Sequence, residues 1–141
     1  MGIEARGSRK PAPEAPEYRP MRALIVEDEA IVAVALTETL EDMGDETVAA
    51  VRNGYAAIAL AEQYRPDFIL MDVGLDGDMD GIEAARVIHD RFRIPIVFVT
   101  GNDNPLTELR VAAIDGAQMV HKPTNQIELD SAIRRAIALN H

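Results

Sequence analysis

Four short apolar runs in this chain end on residues that handle charge. Ala23-Leu24-Ile25-Val26 leads into Glu27-Asp28, and Phe68-Ile69-Leu70-Met71 leads into Asp72. Ile96-Val97-Phe98-Val99 leads into Thr100, and Met119-Val120-His121 into Lys122-Pro123. If the runs are parallel strands of one sheet, three acids, a hydroxyl and an amine gather at its carboxyl edge, where open parallel sheets bind ligands. Like charges about 4 Å apart cost roughly 4 kcal/mol per pair at an effective dielectric near 20. Such a cluster calls for a proton or a cation. Oxygen ligands without His or Cys select a hard ion, and Mg²⁺, held by a few carboxylates together with phosphate oxygens, fits best. Lys122 and Thr100 would then neutralise an incoming phosphoryl group. Asp72, alone at its strand end and central in the sheet, is the natural nucleophile for an acyl phosphate.

Helical stretches alternate with the apolar runs and must position these residues. Strand one spans about 21–27. Helix one follows to Met43, with Ile31, Val32, Leu36, Leu40 and Met43 on one face, and Gly44 stops it. Thr47–Val51 reads as strand two. Asn53-Gly54 turns into helix two, which ends before Pro66 and carries Ala56, Ala57, Ile58, Leu60 and Ala61. Strand three is Phe68–Met71, and residues 74–81 form a flexible acidic loop. Asp80, with Glu83 three residues on, starts helix three as a capping box, and the helix ends near Arg91. Strand four is Ile94–Thr100. Helix four begins at Asn104-Pro105 and stops at Gly116. Strand five covers about 117–121, and helix five about 124–139. Strict alternation argues a parallel sheet with crossover helices. Continuous apolar strands argue helices on both faces, a doubly wound α/β sandwich.

Composition limits what this unit does. Nearly half the residues, 48%, are apolar, which suits one packed domain. There is no Cys, which excludes disulfides, thiolate metal sites and cysteine nucleophiles. Residues 1–20 hold three acids and four bases, so the whole excess behind the net charge of −10 lies in the remainder. Such an acidic body repels phosphate backbones, which argues against direct nucleic acid binding. No stretch has the length and apolarity of a membrane span or a secretory signal, so a cytoplasmic location is expected. Residues 1–20, with Pro11, Pro13, Pro16 and Pro20 and few large apolar side chains, read as a disordered tail. Residues 21–141 are the folded domain.

Taken together, Ile25-Val26-Glu27-Asp28-Glu29, Met71-Asp72-Val73, Val99-Thr100-Gly101 and Lys122-Pro123 resemble the receiver domain of two-component response regulators, the CheY-like family. Order and spacing match over residues 21–140. The resemblance implies a flavodoxin-like fold with strand order 2-1-3-4-5. It implies Asp72 as phosphoacceptor, with Mg²⁺ held directly by Asp28 and Asp72, by Glu27 through water, and by the carbonyl of Gly74. Thr100 and Lys122 would contact the phosphoryl oxygens. The phosphoryl donor would be a histidine kinase or a histidine phosphotransfer protein, and the chain would be no enzyme beyond self-catalysed phosphorylation and dephosphorylation. The signal would reach a downstream protein through the face of helix four, strand five and helix five, about residues 104–140. The resemblance also implies a cis bond at Lys122-Pro123, and it places Gly74 and Asn102 where side chains tune dephosphorylation. Helix five takes the sequence to its last residues, so it reads as a stand-alone receiver. Phe98-Val99-Thr100-Gly101 partly resembles a stand-alone subgroup. One departure stands out: Met119 occupies the place where many receivers carry Tyr or Phe.

Other readings compete with each part. Asp28 could simply cap helix one. Thr100 could be an ordinary strand end and Lys122 a solvated loop lysine. Asp76, Asp78, Asp80 and Gly81 copy the start of a calcium loop, but its twelfth position is Val87 where a bidentate Glu is needed, which excludes that loop. His89 is expected at the surface, and His121 in a structural or exposed role. An aspartate-nucleophile phosphohydrolase would begin with the same chemistry, but it commonly needs an acid two residues after the nucleophile, where this chain has Gly74. A constitutive interaction module would rest on Met119 alone.

Overall fold

The structure is a computed structural model that describes residues 20–101 and 104–140. The tail read over 1–20, apart from Pro20, and the role implied for Asn102 lie outside the described residues. Five strands alternate with five helices: β1 (Arg22–Val26), α1 (Ala30–Asp42), β2 (Glu46–Val51), α2 (Gly54–Tyr64), β3 (Phe68–Asp72), α3 (Gly81–Phe92), β4 (Ile96–Thr100), α4 (Pro105–Ala112), β5 (Gln118–His121) and α5 (Gln126–Leu139). The sheet is parallel throughout in the order β2-β1-β3-β4-β5, the flavodoxin-like 2-1-3-4-5 arrangement.

Successive strand residues point to opposite faces, and both faces are covered. Leu24, Val26, Ile69, Met71, Ile96 and Phe98 pack with Ala57 and Ala61 of α2 and Ile82, Ala85 and Ile88 of α3. Ala23, Ile25, Phe68, Leu70, Val97 and Val99 pack with Leu36 and Leu40 of α1 and Leu129, Ile133 and Ala136 of α5. Every residue of β3 and β4 is buried, which explains why these runs lack polar alternation. Burying each Leu, Ile, Phe or Met side chain contributes about 1.5–3 kcal/mol.

Local signals set most boundaries. Asp80 and Glu83 form the complete capping box of α3. Asn53, Asn104 and Asn125 each accept the N3 amide at the start of α2, α4 and α5. Two expectations need correction. The apolar face of α1 buries Leu36 and Leu40, but Ile31 is 84% exposed, because it lines an open cavity beside Pro123 instead of packing into the core. Helix α4 ends at Ala112 rather than at Gly116, since Ile114 turns inward to join the core. Gly116, at φ +80°, lies where a Cβ would press on the carbonyl oxygen of Leu139 at the end of α5. No helix among the described residues is long and apolar enough to cross a membrane.

Candidate functional site

Parallel pairing brings the strand ends level. Val26 pairs with Met71, Asp72 with Val99, and Thr100 with His121. Glu27, Asp72, Thr100 and Lys122 therefore sit within one step of the same edge. The backbone N–H of Lys122 donates to the Thr100 carbonyl at 2.8 Å, which carries the lysine over that edge. The Lys122-Pro123 bond is cis, as the resemblance implies.

Carboxylate oxygens of Glu27, Asp28 and Asp72 all lie within 4.8 Å of one another. Lys122 Nζ stands 3.0 Å from Glu27 Oε1 and 3.6 Å from Asp72 Oδ1. The Gly74 N–H donates to Asp72 Oδ1 at 3.1 Å, and the Glu29 N–H to Glu27 Oε2 at 3.1 Å. Asp28 does not cap α1, whose N-cap is Glu29 without a side-chain bond. Instead its Oδ2 accepts the N–H of Asp76, fastening the loop after β3 to the site. Asp72, Thr100 and Glu27 are buried, while Gly74 is exposed. A cleft of about 570 Å³ opens over Asp28, Asp72, Gly74, Thr100 and Lys122. A separate apolar cavity of about 330 Å³ lies between α1 and Pro123, with Lys122 as its only charged wall.

The electrostatics follow from burial. Glu27 is pushed up to about 7, chiefly by burial and with a further push from Asp72, against the pull of Lys122 and the Glu29 amide. Its Oε1 faces Lys122 without a well-aligned hydrogen bond to it, so the compensation is incomplete. Burial alone would lower Lys122, but Glu27 and Asp72 outweigh it and raise its affinity for the proton. The set has more negative charge than its single lysine balances, uses oxygen donors only, and opens to a polar cleft. It fits a hard divalent cation.

All four strand-end groups named from the sequence meet here, and Gly74 lines the same cleft. His89 is corrected: it is buried in α3, because Ile82, Ala85 and His89 share the inward helical face. His121 is exposed, as expected. Asp76, Asp78 and Asp80 form no calcium loop; Asp80 is spent on the α3 cap. Sequence reasoning missed how closely α3 abuts the site. A Cβ on Gly81 would overlap the carbonyl oxygen of Asp72. The Asp80-Gly81 pair signalled a helix start but carried no hint of what it packs on. Met119 is half-buried against the core, opposite Phe98.

A family model described as the response regulator receiver domain matches residues 23–134. The transcriptional regulatory protein PdtaR of Mycobacterium tuberculosis is 35% identical over 130 residues, which cover 91% of this chain and 62% of that protein. The chain thus spans less than two thirds of the length of this relative. The signal receiver domain of a modulated diguanylate cyclase from Desulfovibrio desulfuricans superposes with a TM-score of 0.78 at 30% identity, covering 85% of this chain and 95% of that one. The chemotaxis protein CheY4 of Vibrio cholerae gives a TM-score of 0.73 at 27% identity, covering 84% and 99%.

Proposed function

Because the chain belongs to the response regulator receiver domain family of two-component systems, we propose that it takes a phosphoryl group onto Asp72 from the phosphohistidine of a kinase or phosphotransfer protein. The observation that carries this reading is the convergence of Glu27, Asp28 and Asp72 with Lys122 at one strand edge. An Asp72 carboxylate oxygen attacks phosphorus, the N–P bond to the donor histidine breaks, and an acyl phosphate forms. Lys122 already stands 3.6 Å from Asp72 Oδ1, placed to hold the transferred oxygens. Thr100, at the neighbouring strand end, supplies a hydroxyl for the same purpose.

Asp28 and Asp72 would hold Mg²⁺ directly, the Gly74 carbonyl would add a ligand, and Glu27 would act through water because its carboxylate faces Lys122. When bound, the ion neutralises charge on the carboxylates and the phosphoryl oxygens. Residues 21–141 form the receiver in this reading and residues 1–20 a tail. It works in the cytoplasm, and the surface of α4, β5 and α5 meets the target. The test is labelling by a small phosphodonor such as acetyl phosphate with Mg²⁺. Wild type should acquire a base-labile acyl phosphate and Asp72→Asn should not. Undiminished labelling of Asp72→Asn would sink the proposal.

A further inference from the structure

We propose that the ion pair between Arg110 and Asp80 ties α4 to the connection after Asp72, so that the position of α4 responds to the state of the Asp72 carboxylate. This rests on reading Asp72 as the phosphorylated residue. The tie has two joints. At the first, the Gly81 N–H donates to the Val73 carbonyl at 3.1 Å, and Gly81 packs so closely on the Asp72 carbonyl oxygen that no Cβ fits between them. The start of α3 therefore rides on the backbone that bears Asp72. At the second joint, Arg110 Nη2 reaches Asp80 Oδ2 at 2.9 Å and Oδ1 at 3.1 Å.

Asp80 is a rigid partner for that arginine. Its Oδ1 accepts the Glu83 N–H at 2.8 Å, while Glu83 Oε1 accepts the Asp80 N–H at 2.9 Å. The carboxylate is thus oriented by the capping box before Arg110 arrives. Helix α4 is held much less firmly. It has eight residues, and Val111 is its one buried side chain. A short helix with one buried side chain shifts at low cost, so a single fixed contact can bias its position. Arg110 and Asp80 keep 38% and 33% of their side chains exposed, so the pair acts by fixing geometry rather than by adding much stability. The route runs from Asp72 through Val73, Gly81 and Asp80 to α4 without passing through Met119 on β5.

The test is amide NMR of the full chain with and without Mg²⁺ and beryllofluoride, for wild type, Arg110→Ala, Asp80→Asn and the double variant. Asn keeps the N-cap while removing the charge. The fluorine signal of the bound analogue reads occupancy of the Asp72 site separately. Each variant should keep that signal with affinity within about threefold of wild type, since neither residue touches the carboxylate cluster. The shift changes of α4 amides 107–112 on binding should fall to less than about half in Arg110→Ala, and Arg110→Ala should add nothing further in the Asp80→Asn background. Equal α4 responses in wild type and Arg110→Ala would overturn the tie and leave the Asp72 reading standing. Absence of a bound fluorine signal in wild type would overturn that reading, and the tie with it.

Discussion

Lys122 Nζ lies nearer to Glu27 Oε1, at 3.0 Å, than to Asp72 Oδ1, at 3.6 Å. The lysine is thus engaged chiefly by a buried acid that is not the proposed nucleophile. A phosphoryl group on Asp72, as proposed, would add negative charge beside the same amine and compete with Glu27 for Lys122. Under that proposal the protonation state of Glu27 would bear on how the site works.

Glu27 in the folded chain titrates near 7 rather than 4.5, because burial outweighs its lysine. The folded state therefore binds this proton more readily than the unfolded chain does. The stability this contributes is full below pH 4.5 and is lost as the pH rises through about 7. A bound cation acts in the opposite sense, since it competes with the proton. Thermal melts of wild type against Glu27→Gln should show wild type losing ground over that window without Mg²⁺. Added Mg²⁺ should restore wild type most above pH 7. Parallel pH profiles for the two proteins would refute this account.

Removing the lysine should be costly for the same reason. Lys122→Met leaves Glu27 buried without a counter-charge, a loss of about 1–3 kcal/mol. The loss should be larger above pH 7, where Glu27 would have to ionise alone, than at pH 5, where it is protonated. Urea unfolding at the two pH values checks this. An equal loss at both would mean that the ammonium matters only through its aliphatic stem.

How far the sequence could be read depended on whether each cause was local. Capping at Asp80 and Asn104 was legible because the cap and its amide partner lie within one turn. The gathering of Glu27, Asp72, Thr100 and Lys122 was legible because strand ends in a parallel sheet fall level. Ile31 lies on the apolar face of α1 yet is exposed, because helical spacing marks a face but not which of its positions meet a packing partner. His89 shares a buried face with Ile82 and Ala85, so its place on the helix, not its polarity, decides its burial. The Arg110–Asp80 contact links positions 30 residues apart, and no local pattern encodes it.

Asp28 should trade stability for binding. Its carboxylate lies within 4.8 Å of two others, a repulsion of roughly 3–4 kcal/mol per ionised pair before relaxation at an effective dielectric near 20. Asp28→Asn relieves part of it and keeps an oxygen to accept the Asp76 N–H. The metal-free variant should therefore melt higher than wild type, while its Mg²⁺ affinity by calorimetry falls about tenfold or more. A variant less stable without metal would show that the charge Asp28 brings to the Asp76 N–H outweighs the repulsion from its neighbours.

Gly81 and Gly74 flank the loop after Asp72 and should respond oppositely to a methyl group. At Gly81 a Cβ would overlap the Asp72 carbonyl oxygen, and backbone cannot swing aside as a side chain can. Gly81→Ala should cost about 1–3 kcal/mol as overpacking. Because the displaced backbone is the one that carries Asp72, phosphodonor labelling should slow as well. At Gly74 the nearest atom to a Cβ is Asp72 Oδ1 at 4.0 Å, an ordinary contact. Gly74→Ala should therefore stay within about 0.5 kcal/mol of wild type. Chemical denaturation and labelling rates of the two variants test both halves. If Gly81→Ala matched Gly74→Ala in stability and rate, α3 would have room to retreat from Asp72, and the first joint between them would not be rigid.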